Sequence, residues 1–315
     1  MEGENTVNIG SLINALPGAC AQGLIWGIMA VGVYITYKIL DLADLTVDGT
    51  MCTGGAVCVM MMLNGYSLPV SLACAFVAGM LAGLATGIFH TGMGIPAILS
   101  GILTQLGLYS INLRIMGGKA NQAINVNNYQ LIVSLRNIRG VPIYKNSIFV
   151  EIIFVIVIII LLYWFFGTEL GCAIRATGSN PNMSRAQGIN TDINKIIGLM
   201  LSNGLVALAS ALLAQYQGFV DVNMGRGAIV IGLAAVIIGQ VIFGKFTRNF
   251  ALKLLVVVVG AIIYYVVLQF VLWLGLNAND LKLLSALVVA VFLSIPYLKR
   301  KYLVRAPKKG GADHA

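Results

Sequence analysis

Long apolar runs alternate with short polar segments along most of this chain. A helix that spans a bilayer needs about 20 apolar residues, and eight runs approach or exceed that length: 19–40, 68–89, 95–116, 147–167, 196–216, 227–244, 250–275 and 281–298. A ninth run, residues 50–63, is shorter and suits a half-helix or a re-entrant segment joined to non-helical backbone, which a membrane tolerates only where protein or water shields it. The pattern predicts an all-α polytopic membrane protein with about nine (8–10) transmembrane segments.

Composition supports this prediction and limits the domain organisation. Of the 315 residues, 59% are hydrophobic and 10% are charged, whereas soluble domains are roughly 45–50% apolar and about 25% charged. No polar stretch is long enough to fold alone, so we expect one membrane domain over residues 19–298. Residues 1–18 lack the basic start and the cleavage site of a signal peptide. We expect them to remain as an extracytoplasmic or interfacial segment.

The charge distribution predicts the orientation. The net charge is +9, and its densest part is the tail 299–315, which begins "KRKYLVRAPKK" directly after the last apolar run. Basic residues favour the cytoplasmic side of a membrane, so the tail is interpreted as a cytoplasmic anchor and not as a nucleic-acid site. With nine crossings the N-terminus lies outside.

One predicted external loop, residues 117–146, carries basic residues and no acidic residue. Its cations are Lys119, Arg136, Arg139 and Lys145. They could dock the acidic surface of a partner or could simply solvate the loop, and the pattern leaves both alternatives open.

Three carboxylates interrupt the apolar pattern in "KILDLADLTVDGTMCTGGAV", residues 38–57: Asp41, Asp44 and Asp48. A carboxylate near the bilayer centre costs about 2.5–3.5 kcal/mol on insertion scales. Three interpretations remain: capping or pairing at helix ends, with Asp48 near the N-cap of the short helix; exchange of partners in a moving gate; or contact with the ammonium group of a solute. Thr46 and Gly49 complete this candidate gate.

A second stretch repeats the spacing of the first. Asp44 precedes Gly55 by 11 residues, and Asp221 precedes Gly232 by 11 residues in "DVNMGRGAIVIG", which also holds Asn223. Five crossings separate the two joints, so they open to opposite sides of the membrane. This arrangement predicts an inverted-topology repeat of crossings one to four and six to nine, and it adds Asp221 and Asn223 to the candidate translocation residues.

Motifs for catalysis, metals and nucleotides are weak or missing. "GQVIFGKF" resembles a phosphate-binding loop but has Phe246 where Ser or Thr must reach Mg²⁺. The five cysteines form no C-x-x-C pair, and no protease pattern occurs in the sequence. We therefore expect a non-catalytic chain that binds no metal and no cofactor.

One long polar segment lies between crossings on the predicted cytoplasmic side. In "GTELGCAIRATGSNPNMSRAQGINTDINK", residues 167–195, Gly178 and Pro181 are expected to end one short helix, and a second ends at Gly188. Such an element can receive force from a cytoplasmic partner, but on these features alone an ordinary loop is the better explanation.

Two stretches resemble a known family. "QGLIWGIMAVGVYITYKILDLADLTVDGTMCTGGAV" is similar to the opening of permease subunits of bacterial ABC importers of the branched-chain amino acid and ribose class, especially the branch linked to tryptophan or tyrosine. "GCAIRATGSNPNMSRAQGINTDINKIIGLMLSNGLVALASALLAQYQGF" resembles the cytoplasmic signature of that class and its next helix. The similarity runs over most of residues 19–300.

The resemblance implies a type II-importer-like permease in the bacterial cell membrane. It implies a homodimer, two cytoplasmic ABC ATPase subunits that bind ATP and Mg²⁺, and an extracytoplasmic solute-binding protein that delivers a small solute such as an aromatic amino acid. It assigns ATPase coupling to the segment 168–195, with Arg175 and Arg185 as the expected charged contacts. The remaining coupling residues by this resemblance are Ala176, Thr177, Gly178, Asn180, Pro181, Ser184 and Gly188. The alternative is an ion-coupled secondary transporter that uses Asp41, Asp44 and Asp48.

Overall fold

The protein is a helical bundle with one small β-ribbon. The structure, a computed structural model, describes residues 9–124, 129, 131–138, 146–244, 249–274 and 281–298. The helices are α1 (Ile9–Tyr34), α2 (Val47–Leu63), α3 (Leu68–Gly87), α4 (Ala97–Ile115), α5 (Ser147–Gly167), α6 (Glu169–Ser179), α7 (Pro181–Ala186), α8 (Thr191–Gln217), α9 (Ala228–Phe243), α10 (Phe250–Trp273) and α11 (Leu281–Leu298). π-Helical turns, Ile35–Ile39 and Ile88–Gly92, extend α1 and α3, and Leu135–Ile138 forms a 3₁₀ turn.

The predicted all-α membrane fold is confirmed. Five helical stretches in the described part of the chain are long and apolar enough to span a bilayer: Asn14–Ile39, Leu68–Gly92, Ser147–Gly167, Thr191–Gln217 and Phe250–Trp273. Helices α2 and α9 are apolar but only 17 and 16 residues long. The number of crossings stays a prediction.

The first helix begins earlier than the hydrophobic pattern predicts. It starts at Ile9, ten residues before the predicted start at residue 19. Asn14 and Pro17 lower the apolar character of its first turns, and a proline is tolerated in a membrane helix because neighbouring groups satisfy the freed backbone. Residues 9–18 are therefore continuous with the first membrane helix.

Helix α8 lies at the centre and fixes the direction of its neighbours. The Ser202 hydroxyl donates to the Gly32 carbonyl (2.7 Å) and the Tyr216 hydroxyl donates to the Gly18 carbonyl (3.4 Å), so α1 runs antiparallel to α8. Thr50 of α2 contacts Asn203 of α8, and Cys58 further along α2 contacts Gln215 further along α8, so α2 runs parallel to α8. We call the end where α8 begins the coupling end, and the end where it finishes the sheet end.

The packing of the first four helices is repeated by the last four. Helix α3 packs along α8, where Gly83 lies against the backbone of Leu199, and α10 packs along α1, where Gly27 lies against Val258. Helix α2 lies beside α8, and α9 lies beside α1. When each of α1–α4 is exchanged with its counterpart in α8–α11, every one of these pairs of packed helices becomes another observed pair. This is the packing expected for an inverted-topology repeat.

A two-stranded ribbon at the sheet end was not predicted. Strand β1 (Asn121–Ala123) pairs antiparallel with β2 (Phe219–Asp221), with Asn121 opposite Asp221. Strands of three residues are too short for their periodicity to be recognised in the sequence. The ribbon attaches the loop after α4 to the segment that leads into α9.

Candidate coupling and translocation site

The break after α1 is built from a π-helical turn and one left-handed residue. The amide of Leu40 donates to the Ile35 carbonyl (3.0 Å) and the amide of Leu42 donates to the Thr36 carbonyl (2.9 Å). Asp41 then has φ +54°, the single positive φ of a non-glycine residue in the described chain. Single π-turns occur frequently at functional sites, and the left-handed residue stops the helix so that residues 40–46 can turn back into the bundle.

Asp44 is buried and held by neutral donors. Its carboxylate accepts hydrogen bonds from the Thr46 backbone N–H (2.9 Å) and from the Asn203 side-chain amide (2.7 Å). The Asn203 carbonyl oxygen in turn accepts from the Thr50 hydroxyl (2.7 Å). Asp44 therefore fixes the start of α2 against the middle of α8, as the structural interpretation of this residue expects.

A chain of hydroxyl groups extends from the break to α4. The Thr46 and Thr86 hydroxyls lie 2.6 Å apart, and the Thr86 hydroxyl donates to the Thr104 hydroxyl at 2.9 Å. Gly49 lies against α4, where the Asn112 amide donates to its carbonyl (3.3 Å). The break is therefore linked to both α3 and α4.

Asp48 caps a different helix from the one that was expected. Asp48 lies near the N-cap of the short helix as predicted, in the first turn of α2 after the N-cap Thr46. Its carboxylate, however, accepts from the backbone N–H groups of Gly227 (3.0 Å) and Ile229 (3.1 Å). These groups open α9, so the N-termini of the two half-length helices meet inside the bundle. The contact joins residues about 180 positions apart, and local sequence rules cannot reveal it.

Asp221 and Asn223 shape a turn and do not join the carboxylates of the break. The Asp221 carboxylate accepts from the Asn223 backbone N–H (2.7 Å), and Asn223 is exposed. What reaches Asp48 is the following stretch, in which Gly225 lies against the Asp48 backbone. The contact with Asp48 therefore lies a few residues further along the chain than Asp221 and Asn223, whose role in translocation stays a prediction.

The polar segment forms the two predicted short helices at the coupling end. The Asn180 side chain caps α7 by accepting from the Met183 N–H (3.0 Å), Pro181 is its first residue, and Gly188 follows it with φ +83°. Ser184 is buried and donates to the Asn180 carbonyl (3.0 Å). The turn chemistry recognised in the sequence therefore matches the local structure.

Helix α6 packs directly on the break. A β-carbon at Gly178 would collide with the Ile39 carbonyl, so the two backbones touch. Thr177 is buried and accepts from the Asn194 amide (3.3 Å), while Ala176 is partly buried. A displacement of α6 must therefore move the end of α1 or the start of α8.

The two arginines of this segment have partners within the chain. Arg185 donates from Nε to the Thr191 hydroxyl (2.8 Å) and lies 3.4 Å from the Asp192 carboxylate, with its side chain 56% exposed. The guanidinium of Arg175 lies 5.7 Å from the centre of the Phe250 ring. Binding of either arginine to an ATPase stays a prediction.

Two residues that sequence analysis did not single out have side chains in unusual environments. Met183 on α7 is 59% exposed, and it is the large apolar side chain of that short helix. Glu151 on α5 is fully buried, and its carboxylate oxygens have no hydrogen-bond partner among the described residues. An acid inside the run "SIFVEIIF" is detectable from the sequence as an unusual membrane residue.

The predicted docking residues are only partly described. Lys119 is exposed next to the ribbon. Arg136 belongs to the 3₁₀ turn, but its side chain is not described, and Arg139 and Lys145 lie outside the described residues. Their role stays a prediction.

These features define the class of the protein. The chain is a polytopic helical protein with two half-length helices that meet inside the bundle and with a short helical segment at one end. A family model, the permease component of branched-chain amino acid transport systems, matches residues 17–294. The chain belongs to this permease family.

Individual relatives agree with the family. A tyrosine transport system permease protein of Clostridioides difficile is 43% identical over 87% of this chain and 88% of its own length. Among solved structures, PsaBC from Streptococcus pneumoniae in complex with Fab has a TM-score of 0.55 at 17% identity, covering 93% of this chain and 100% of that one. An inward-facing metal-chelate type ABC transporter has a TM-score of 0.51 at 15% identity, with 90% and 87% covered. These two structures support the fold.

The protein is thus the permease component of an ABC transporter. The family and its relatives do not favour the alternative of an ion-coupled secondary transporter. Asp44 and Asp48 are explained as acceptors of internal hydrogen bonds.

Proposed function

We propose that this permease imports an aromatic amino acid as a homodimer, with two ATPase subunits at the coupling end and a solute-binding protein at the sheet end. The coupling end is then cytoplasmic and the sheet end external. The family and the identity to a tyrosine transport permease support the solute class. ATP and Mg²⁺ bind to the partner ATPase, and this chain supplies the pathway.

The contact between α6 and the end of α1 carries the proposed mechanism. Exposed α7 presents Met183 and Arg185 to the ATPase, and α6 transmits the displacement through the Gly178–Ile39 contact. From there the motion reaches Asp44 and the threonine chain, and finally α4. An ATP-driven change requires differential contacts in two states, and the hydrogen bonds of the break are the contacts that we expect to differ between them.

The segment that precedes α9, at the sheet end, connects the external partner to the Asp48 contact. Ribbon β1–β2 attaches the external loop to the segment that precedes α9, and the first turn of α9 binds Asp48. Docking of a loaded binding protein on this loop therefore acts on one side of the Asp48 contact, while the ATPase acts on the other.

Co-purification with the ATPase tests the coupling site. The permease is co-expressed with the ABC ATPase subunit of its own transport system, and the complex is isolated through a tag on the permease. Met183→Asp and Arg185→Glu are expected to reduce the ATPase recovered at least tenfold, because each places a negative charge in the proposed contact. Arg114→Glu, an exposed charge reversal at the sheet end, serves as the matched control. Full recovery with both α7 variants would refute the assignment.

A further inference from the structure

A cleft at the sheet end lies beside the joint that precedes α9. It has a volume of about 640 Å³ and is bounded by α1, α9, α10 and α11. Its walls are mainly apolar and aromatic. Trp26 and Tyr265 form one side with ring centres 5.8 Å apart, and this pair offers a surface on which a third ring can stack.

A small group of polar side chains faces this apolar cleft. Among the lining residues are three glutamines, Gln22, Gln217 and Gln269, and one arginine, Arg226. The Tyr264 side chain is fully buried at the wall, and its neighbour Ser285 also lines the cleft. An apolar pocket with a few convergent polar groups is the usual form of a small-molecule site.

The charge of the cleft selects its ligand. Arg226 is exposed and forms no ion pair with any residue that the structure describes. No acidic residue belongs to the described lining. A carboxylate can therefore pair with Arg226 in a charge-assisted contact, whereas an acyl chain offers no group that pairs with it.

The cleft is also continuous with the Asp48 contact. Arg226 precedes Gly227, whose amide donates to the Asp48 carboxylate, and Gly227 itself lines the cleft. A ligand bound to Arg226 therefore lies next to the Gly227 peptide group, whose N–H donates to Asp48 and so connects α9 to α2.

We propose that this cleft is a solute subsite within each protomer, which binds an aromatic amino acid through its carboxylate. The proposal rests on the proposed function, because it assigns the transported solute to this place. The carboxylate binds Arg226, the ring stacks on Trp26 and Tyr265, and the Tyr264 hydroxyl and the glutamine amides contact the polar groups of the ligand. Occupancy of the cleft then biases the Gly227–Asp48 contact.

Equilibrium binding tests this subsite. The complete transporter, without its binding protein, is placed in nanodiscs and titrated with radiolabelled L-tyrosine, and with unlabelled L-tyrosinamide as a competitor that lacks the carboxylate. We expect saturable binding of L-tyrosine, at least tenfold weaker competition by L-tyrosinamide, and at least tenfold weaker L-tyrosine binding by Arg226→Gln, as loss of a charge-assisted pair predicts. Arg114→Gln is the control, since Arg114 is exposed at the same end and does not line the cleft.

Several results would overturn the proposal. They are an absence of saturable binding, equal affinity for the acid and the amide, or unchanged binding by Arg226→Gln. Tyr264→Phe provides a conservative second variant that should weaken binding without loss of thermal stability. A bound phospholipid identified by native mass spectrometry and displaced by Trp26→Ala would assign the cleft to an acyl chain. Failed binding together with intact ATP-driven tyrosine uptake would reject the subsite alone, whereas loss of ATP dependence would reject the proposed function.

Discussion

The carboxylate of Asp48 lies 3.0 Å from the backbone amide of Gly227 and accepts its hydrogen bond. This contact joins the first turn of α2 to the first turn of α9. The N-terminus of a helix carries unsatisfied N–H groups and a partial positive charge, so a carboxylate placed there is stabilised without a cation. The apparent cost of a charge inside a membrane protein is offset by this local partner.

Asp48→Ala is expected to destabilise the protein by about 1–2 kcal/mol, because it leaves amides of α9 without their acceptor. Asp48→Asn retains one acceptor oxygen and should lose less. Thermal unfolding of the two detergent-solubilised variants gives the comparison. Equal stability of Asp48→Ala and the unmodified protein would contradict the capping role.

Asn203→Leu removes the amide that donates to Asp44. A buried acceptor that loses its partner costs about 1–3 kcal/mol, so the midpoint of thermal unfolding should fall. In a double-mutant cycle, Asp44→Leu combined with Asn203→Leu should cost less than the sum of the single changes. Strict additivity would show that the two side chains do not interact energetically.

Asp41 has a left-handed backbone conformation that favours glycine. Asp41→Gly should therefore preserve or slightly increase stability. Asp41→Val should lower it by about 1–2 kcal/mol, because its branched side chain clashes in this conformation. Unfolding midpoints of the two variants decide the point, and identical midpoints would argue that residues 40–42 relax freely.

Glu151 is fully buried, and its carboxylate oxygens have no hydrogen-bond partner among the described residues. Glu151→Leu replaces this polar group with an apolar one of similar size and is expected to raise the unfolding temperature. Glu151→Ala serves as the comparison, since it also removes the carboxylate but leaves a cavity. A lower unfolding temperature for Glu151→Leu would mean that the carboxylate has a stabilising partner.

The external loop is expected to dock the binding protein through its cations. Replacing Arg136 and Arg139 together with Glu should reduce stimulation of the ATPase by loaded binding protein, and the loss should be larger at low salt because exposed charges are screened at high salt. Arg114→Glu again provides a control for the charge change. Normal stimulation would favour the alternative that these arginines only solvate the loop.

The sequence predicts the helices well because a bilayer imposes a strong requirement on apolar length. The predicted run 147–167 coincides with α5, and the prediction of two short helices ending near Gly178 and Gly188 agrees with α6 and α7. Helix starts and ends that Gly, Asn and Pro determine depend on neighbouring residues in the sequence, so they can be recognised without knowledge of tertiary structure.

The contacts of the site could not be predicted in the same way. The partner of Asp48 lies on α9, the partner of Asp44 lies on α8, and the ribbon pairs residues about 100 positions apart. Such pairs depend on how helices pack in three dimensions and leave no periodic signal in a single sequence. Arg185 illustrates the same limit, since its internal contact with Thr191 is specified by the turn between α7 and α8 and not by its charge alone.

The most direct test is the number of solute molecules transported for each ATP hydrolysed. The permease, its ATPase and its binding protein are reconstituted in proteoliposomes, and uptake of L-tyrosine and release of phosphate are measured together for the unmodified protein and for Asp48→Ala. The account predicts that the variant assembles and hydrolyses ATP but transports at least tenfold less tyrosine per ATP. An unchanged ratio would contradict the claim that the Asp48 contact connects the coupling segment to transport.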